Sequence, residues 1–254
     1  MSIKKKYLRK IRYHILMYKR KKIFNIENSH PIVSFTFDDF PISAKINGAK
    51  ILNNYGLKGT YYTSLIKMNK NTETLPFGEP FFNLEDLVEL DQNGHEIGCH
   101  TFDHFSAENV SFHSYLQSIL RNQKFFNKYF PNKKLNAFSY PYGGITIRSA
   151  NLVGNLFLSS RTIWSGINKG TIELSLLKAN QLSEKRSIDD CKKLIVKNQI
   201  LGGWLIFVLH DVKDNPSRFG CTPENFNSLV NYAIESGAKI KSIGKTLESF
   251  GINK

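Results

Sequence analysis

The chain reads as a single α/β domain built on a parallel sheet. Apolar runs of strand length alternate with amphipathic runs of helix length over most of the 254 residues. No Pro/Gly/Ser-rich linker and no internal repeat interrupts that alternation. Reactive side chains also fall in one kind of place: Asp38/Asp39, His100, Tyr142 and His210 each come just after an apolar strand. In barrels and open α/β sheets the strand ends that exit to loops share one face, and sites are built there.

Ile32 to Phe37 alternates as a strand, and Ser43 to Asn54 has helical spacing ended by Tyr55-Gly56. Thr60 to Thr63 is a second strand, followed by a loop with Pro76, Gly78 and Pro80. Asn83 caps a helix carrying Leu84, Leu87, Val88 and Leu90, with acids in its first turn and closure at Asn93-Gly94. Glu96 to Cys99 is a short strand running into His100, and Val110 to Phe130 a long helix stopped by Pro131. Ala137 to Tyr140 is strand-like, Arg148 to Leu156 helical, and Phe157 to Ile163 strand again. Ile188 to Gln199 is helical, and Trp204 to Leu209 is a buried strand ending at His210-Asp211. Thr222-Pro223-Glu224 starts a helix that ends near Ser236-Gly237. Lys239 to Ile243 is the last expected strand, before Lys245 to Phe250.

The formal charge of +14 is unevenly spread. Residues 1 to 22 hold ten Lys/Arg and no acid, leaving 25 basic against 21 acidic residues elsewhere. The body is therefore not a nucleic-acid-sized basic surface, and no nucleic-acid partner is expected. Residues 1 to 30 read as a basic arm and 31 to 254 as the α/β domain. Tyr7, Leu8, Ile11 and Ile15 recur in the arm at helical spacing among Lys and Arg. Such a helix either lies on an anionic membrane surface or stays solvated or packed on the domain. Cys99, Cys191 and Cys221 lie far apart without a CxxC, which fits a reducing compartment. No apolar stretch in the head is long enough for a secretory h-region, so a cytoplasmic protein, peripheral on the inner membrane face, is expected.

Two adjacent carboxylates at the end of the apolar run Ser34–Phe40 are costly unless they meet a cation or open water. Strand alternation points Asp38 and Asp39 to different sides and so to different tasks. Asp39 is expected to hold a metal ion, with Asp38 acting as base on a water held there. His100 and His104, four apart, face the same way on one helical turn and suit zinc together with a carboxylate. His210 can protonate a leaving nitrogen from another strand end, and a backbone N–H near Tyr142 can face an oxyanion. These parts describe metal-assisted hydrolysis of an amide or ester. Phosphoryl transfer through an aspartyl nucleophile is discounted, because adjacent acids point wrongly for it. Asp103 reads as a local cap or solvated acid, Cys99 as core, and His14, His95 and His113 as ordinary surface or helix residues. Phe40, Tyr61, Phe105 and Trp164 either line a sugar cleft or pack in the core.

The segments FTFDDF (35–40), GHEIGCHTFDH (94–104), FSYPYG (138–143) and FVLHD (207–211), in that order, resemble the polysaccharide deacetylase family with the NodB-homology domain. The resemblance implies a distorted (β/α) barrel of about seven parallel strands. It implies zinc or another divalent ion on Asp39, His100 and His104, with Asp38 as base, His210 as acid and Tyr142 as main-chain oxyanion donor. The implied substrate is an acetylated amino-sugar glycan or its lipid-linked precursor, with Tyr140, Pro141, Arg161 and Trp164 expected beside it. Two positions depart from the family pattern. Ser139 stands where an arginine often orients the base, and no acid accompanies Trp164 to tune His210. Arg161 is a candidate substitute for a missing part. The alternative implied by these gaps is a catalytically impaired metal- and glycan-binding scaffold.

Overall fold

An apolar run with no exposed face has to lie at the centre of a sheet, and Ile32–Asp38 is buried at every position. In the computed structural model it is the central strand. The structure describes residues 11–12, 14–18, 21–27, 30–68, 77–183 and 186–253. The strands are β1 (Ile23–Ile26), β2 (Ile32–Asp38), β3 (Thr60–Thr63), β4 (Glu96–Cys99) and β5 (Ala137–Ser139). They continue with β6 (Ser159–Arg161), β7 (Gly170–Glu173), β8 (Asn180–Gln181), β9 (Trp204–Leu209) and β10 (Lys239–Ile240). Seven of them pair in the order β6-β5-β4-β3-β2-β9-β8, all parallel. β10 pairs with the start of β2, on the flank that β3 occupies further along. β1 and β7 form a separate antiparallel ribbon.

The sheet curls until its edges nearly meet. Leu177 donates to the Ser160 carbonyl at 2.9 Å and accepts from Thr162 at 2.8 Å, three residues before β8 pairs with β9. One short segment thus touches both edges, which is the distorted barrel expected from the sequence. Period-two alternation divides its residues between two faces. Val33, Phe35, Phe37, Leu205, Phe207 and Leu209 pack outward against the helices, whereas Ile32, Tyr62, Trp204, Ile206 and Val208 fill the interior.

Helix boundaries follow capping chemistry. Asn83 caps α2 (Leu84–Gln92) in a reciprocal box with Asp86, and Ser111 caps α3 (Phe112–Tyr129), so this helix starts two residues later than its apolar pattern. α4 (Ile147–Leu156), α5 (Ile188–Leu201) and α6 (Pro223–Glu235) begin at Thr146, Ser187 and Thr222. Ser242 caps α7 (Ile243–Ser249), which cuts the expected last strand to two residues. The expected helix Ser43–Asn54 opens as a π-helical turn, Ala44–Ala49, before α1 (Lys50–Asn54). Gly48 in that turn lies against Phe37, whose ring a Cβ would meet at 2.8 Å.

Part of the basic head packs on the body. Leu16 is buried in the core, and Arg12 donates to the Ile145 carbonyl at 2.7 Å and pairs with Glu108. Tyr7, Leu8, Lys4, Lys5, Lys6, Arg9, Lys10, Lys19, Arg20 and Pro76 lie outside the described residues. Among the described residues, no helix is long and apolar enough to cross a membrane. All three cysteines are buried and free.

Phe35 stacks on Phe207 at 5.7 Å and meets Phe226 edge-on at 5.4 Å. Phe35→Ala is therefore expected to cost about 3–5 kcal/mol in urea denaturation. Ile46→Ala, at a position 57% exposed, should stay within about 0.5 kcal/mol of the parent.

Candidate metal centre and catalytic face

Parallel strands deliver β2, β4, β5 and β9 to one face, and the backbone beyond them is unusual. Asp39 and Phe40 follow β2 with φ of 63° and 54°, Thr101 and His104 follow β4 with 58° and 57°, and Tyr142 follows β5 with 56°. Among the described residues these are all the non-glycine positions with positive φ. Each costs on the order of 1–3 kcal/mol, held only because the surroundings over-determine it. After the left-handed turn the two acids have different partners, Asp38 meeting Arg161 and Ser139 and Asp39 meeting the histidines and Lys67, while Phe40 enters the core, stacked on Phe82 at 4.8 Å. The expectation of a helical turn from His100 to His104 is corrected. That segment is an irregular loop, pinned by the Phe102 N–H on the Ser118 carbonyl and the Asp103 N–H on Ser118 Oγ.

Asp39, His100 and His104 offer ligand atoms within 4.8 Å of one another. Asp39 Oδ1 lies 2.9 Å from His104 Nε2 and 3.8 Å from His100 Nε2. The far side of each ring is also fixed. His100 Nδ1 contacts the Ser139 carbonyl at 2.7 Å; a carbonyl only accepts, so Nδ1 carries the proton and Nε2 presents its lone pair to the site. His104 Nδ1 meets the Tyr142 hydroxyl at 3.0 Å. Burial pushes the His100 imidazole down to about 4, against the pull of Asp38 and Asp39, which keeps it neutral as a ligand must be. Burial tends to raise the Asp39 carboxyl, but His104, Lys67 and His100 hold it well below the carboxylate range. One carboxylate and two imidazoles in this spacing fit a zinc-like divalent ion with a position left open.

Asp38 is held from a different strand. The Arg161 guanidinium, with its side chain fully buried at the end of β6, pairs through Nη2 with Asp38 Oδ1. The same Nη2 donates to Ser139 Oγ at 2.6 Å, and Ser139 Oγ donates to Asp38 Oδ2 at 3.4 Å. Burial raises the Asp38 carboxyl; Arg161 first, then His100 and His210, more than offset this and leave it below its ordinary value. His210, half-buried after β9, lies between the rings of Phe77 and Phe219 at 5.4 and 5.2 Å. Burial lowers its imidazole against the pull of Asp39 and Asp38. Its Nδ1 is buried with no hydrogen-bond partner among the described residues. The neighbouring Asp211 is instead tied to the Ser217 N–H and hydroxyl, both at 2.6 Å.

Several expected placements change. Tyr140 and Arg161 have no surface left for a substrate: Tyr140 donates its hydroxyl to the Ser175 carbonyl at 3.2 Å, and Arg161 is committed to Asp38. Pro141 is buried in the 3-10 turn Pro141–Gly143, whereas Trp164 is half-buried and Tyr142 is 63% exposed. Phe40 and Tyr61 belong to the core, while Phe105 keeps some exposure. Asp103 pairs with Arg121 at 3.1 Å, outside the triad. His95 is no surface residue: it is buried after α2, its Nδ1 accepting from the Gly59 N–H at 3.0 Å. His14 and His113 are exposed. Lys67, on Asp39 Oδ1 at 2.6 Å, escaped the sequence reading because nothing in Ser64-Leu65-Ile66-Lys67 sets it apart from any surface lysine.

A sequence model of polysaccharide deacetylases matches residues 25–158. A peptidoglycan-N-acetylglucosamine deacetylase of Bacillus cereus is 29% identical over 107 residues, covering 42% of this chain and 45% of that protein. The match thus spans less than half the length of this curated relative. A family 4 acetyl xylan esterase from Clostridium thermocellum, solved with a cobalt ion, superposes with a TM-score of 0.61 at 19% identity over 87% of this chain and 93% of its own. A CE4 family pseudoenzyme from Bacillus anthracis superposes with a TM-score of 0.58 at 12% identity over 86% and 66%. At these identities the superpositions speak for the fold alone.

Arg161→Met leaves a buried carboxylate without its counter-charge and should cost about 3–5 kcal/mol at neutral pH. Because the folded Asp38 carboxyl lies below its usual 3.8, its stabilisation is present above that pH and fades as pH falls through the folded value. The stability gap between parent and variant, followed by urea denaturation, should therefore narrow as the pH drops below 3.8.

Proposed function

The chain belongs to the polysaccharide deacetylase family, and on that premise we propose that it is a metal-dependent hydrolase removing an N-acetyl or similar small acyl group from an amino sugar. The proposed substrate is a cell-envelope glycan or its lipid-linked precursor. What carries the reading is the convergence of Asp39, His100 and His104 on one point beside a separately held carboxylate, Asp38. The description of the Bacillus cereus relative, a deacetylase of N-acetylglucosamine, favours an amide on an amino sugar over a simple ester.

Asp39 Oδ1 and the Nε2 atoms of His100 and His104 are the atoms to hold the ion, which we take to be Zn2+. When bound, such an ion supplies Lewis acidity, acidifying a water and polarising the acyl oxygen. Asp38, ionised at neutral pH, takes the proton from the attacking water at Oδ2, which Ser139 holds only through a long 3.4 Å contact, whereas Oδ1 is engaged by Arg161. Arg161 and Ser139 keep that carboxylate aimed, so their task is positioning. The left-handed conformation of Tyr142 turns the main chain of the Pro141–Gly143 turn, and we assign its N–H to the developing oxyanion. His210 acts from its imidazolium form, which the Asp39 and Asp38 charges favour against burial, giving a proton from Nε2 to the leaving nitrogen and returning to the neutral ring. Among the described residues its Nδ1 has no hydrogen-bond partner, and the rings of Phe77 and Phe219 lie against it. That same gap favours the second reading, a metal- and glycan-binding scaffold with little turnover. Trp164 remains the candidate for stacking on the sugar.

We assign residues 31–254 to catalysis and, within the basic arm 1–30, residues 1–22 to an anionic membrane surface on the cytoplasmic side. Ile11, Ile15 and Tyr18 are 53%, 37% and 91% exposed on helical residues flanked in sequence by Lys and Arg. A lipid-linked sugar is the substrate such a surface would present.

Asp39→Ala, His100→Ala and His104→Ala should each lose zinc in metal analysis of the purified protein. Asp38→Asn should keep zinc and lose about 10²–10⁴-fold in turnover of acetylated chito-oligosaccharides. Zinc bound without turnover of any acetylated substrate selects the scaffold instead. Sedimentation with anionic vesicles should fall when Ile11 and Tyr18 are both replaced by Ser, and should weaken with rising ionic strength. Salt-insensitive binding that ignores both changes removes the membrane assignment.

A further inference from the structure

Lys67 takes no part in the reaction set out above, yet its ammonium lies on the site. It ends the 3-10 turn Leu65–Lys67 that follows β3. The turn is anchored from below: Leu65 is buried, its N–H donates to Asn122 Oδ1 at 3.2 Å, and the Ile66 N–H donates to the Phe102 carbonyl at 3.0 Å. From this base the lysine side chain, 13% exposed, brings Nζ to 2.6 Å from Asp39 Oδ1. The same Nζ lies over the Phe81 ring, 4.9 Å from its centroid.

The oxygen it touches is the one the two imidazoles approach, at 2.9 and 3.8 Å. A zinc-like ion binds a carboxylate oxygen at about 2.0–2.2 Å. An ion on Asp39 Oδ1 and an ammonium ion-paired with that atom at 2.6 Å would be like charges a few ångströms apart in a buried site. They therefore compete. Lysine suits such a role, being a point charge on a flexible stem that can swing off without disturbing the backbone. The Phe81 face stabilises it nearby through its π-electrons.

We propose that Lys67 is an internal counter-cation to Asp39: it holds the carboxylate when the triad is empty, and a divalent ion must displace it from that oxygen in order to bind. Lys67 thus weakens metal binding while stabilising the metal-free fold. The inference rests on the metal reading of Asp39, His100 and His104, and it goes beyond that reading by giving the chain its own competitor for the site. The opposite role is also physically coherent, with Lys67 orienting Asp39 for the ion, and it predicts the opposite sign.

The full chain, stripped of metal, is titrated with Co2+ and with Zn2+ against a chromophoric chelator, and its thermal unfolding is followed with and without metal. Lys67→Met should tighten both dissociation constants on the order of tenfold or more, with the Co2+ absorption band unchanged because the ligands are unchanged. Metal-free Lys67→Met should melt below the parent, since Asp39 is left without its cation, and saturating Zn2+ should shrink that deficit. Lys67→Gln serves equally should the methionine variant fail to fold. Lys67→Arg, which keeps the charge, should bind metal about as the parent does. Unchanged or weaker affinity in Lys67→Met and Lys67→Gln overturns the inference while leaving the triad intact. If the parent binds neither ion more tightly than Asp39→Ala does, the metal reading itself falls and the inference falls with it.

Discussion

Two carboxylates at the end of a strand with no exposed face set the terms for everything around them. Asp38 and Asp39 are each about 5% exposed, and neither can stay ionised there without a counter-charge. The chain supplies a different one to each. Asp38 receives a guanidinium that is itself fully buried and cannot leave, so its charge is permanently balanced. Asp39 is surrounded by groups that can yield: two imidazoles kept from free rotation by Ser139 and Tyr142, and an ammonium on a flexible stem. The division of labour between a fixed base and an exchangeable cation site follows from how each acid is neutralised.

The cost is met in the backbone. Five non-glycine residues adopt left-handed conformations among those described, and all five lie on this face. Each lies in the segment that follows a strand: Asp39 and Phe40 after β2, Thr101 and His104 after β4, and Tyr142 in the 3-10 turn after β5. The strain is thus distributed over three loops, and it is what allows ligands from β2 and β4 to reach the same few ångströms.

Most of the fold was legible in the sequence because burial and period are local signals. Trp204–Leu209 and Thr60–Thr63 have the bounds their apolar runs suggest, and Asn83 caps the helix it was expected to cap. Site elements were legible as residue types at strand ends, without their geometry. The HxxxH spacing suggested a helical turn, while the loop that carries it is shaped by Ser118, on a helix and fifteen residues beyond Asp103, a contact that spacing cannot encode. Lys67 and the true surroundings of Arg161 were hidden for the same reason: a lone cation becomes meaningful only when a distant strand brings an acid to it. His95 was misread because a single imidazole after a helix carries no sign of the Gly59 N–H it will accept.

The Ser139–Arg161 arrangement has a consequence for how related sequences are compared. The cation for Asp38 arrives from the neighbouring strand, and Ser139 Oγ sits 2.6 Å from it, so the small residue at 139 is the space the large one at 161 occupies. Ser139 Oγ bridges the guanidinium to the other oxygen of the acid, at 3.4 Å from Asp38 Oδ2, so the two positions serve one carboxylate. Restoring arginine at 139 alone would crowd two guanidiniums onto a single acid, and exchanging both residues together is the viable path. Position 139 is therefore not to be judged without position 161: the charge that neutralises Asp38 stands one strand to the side.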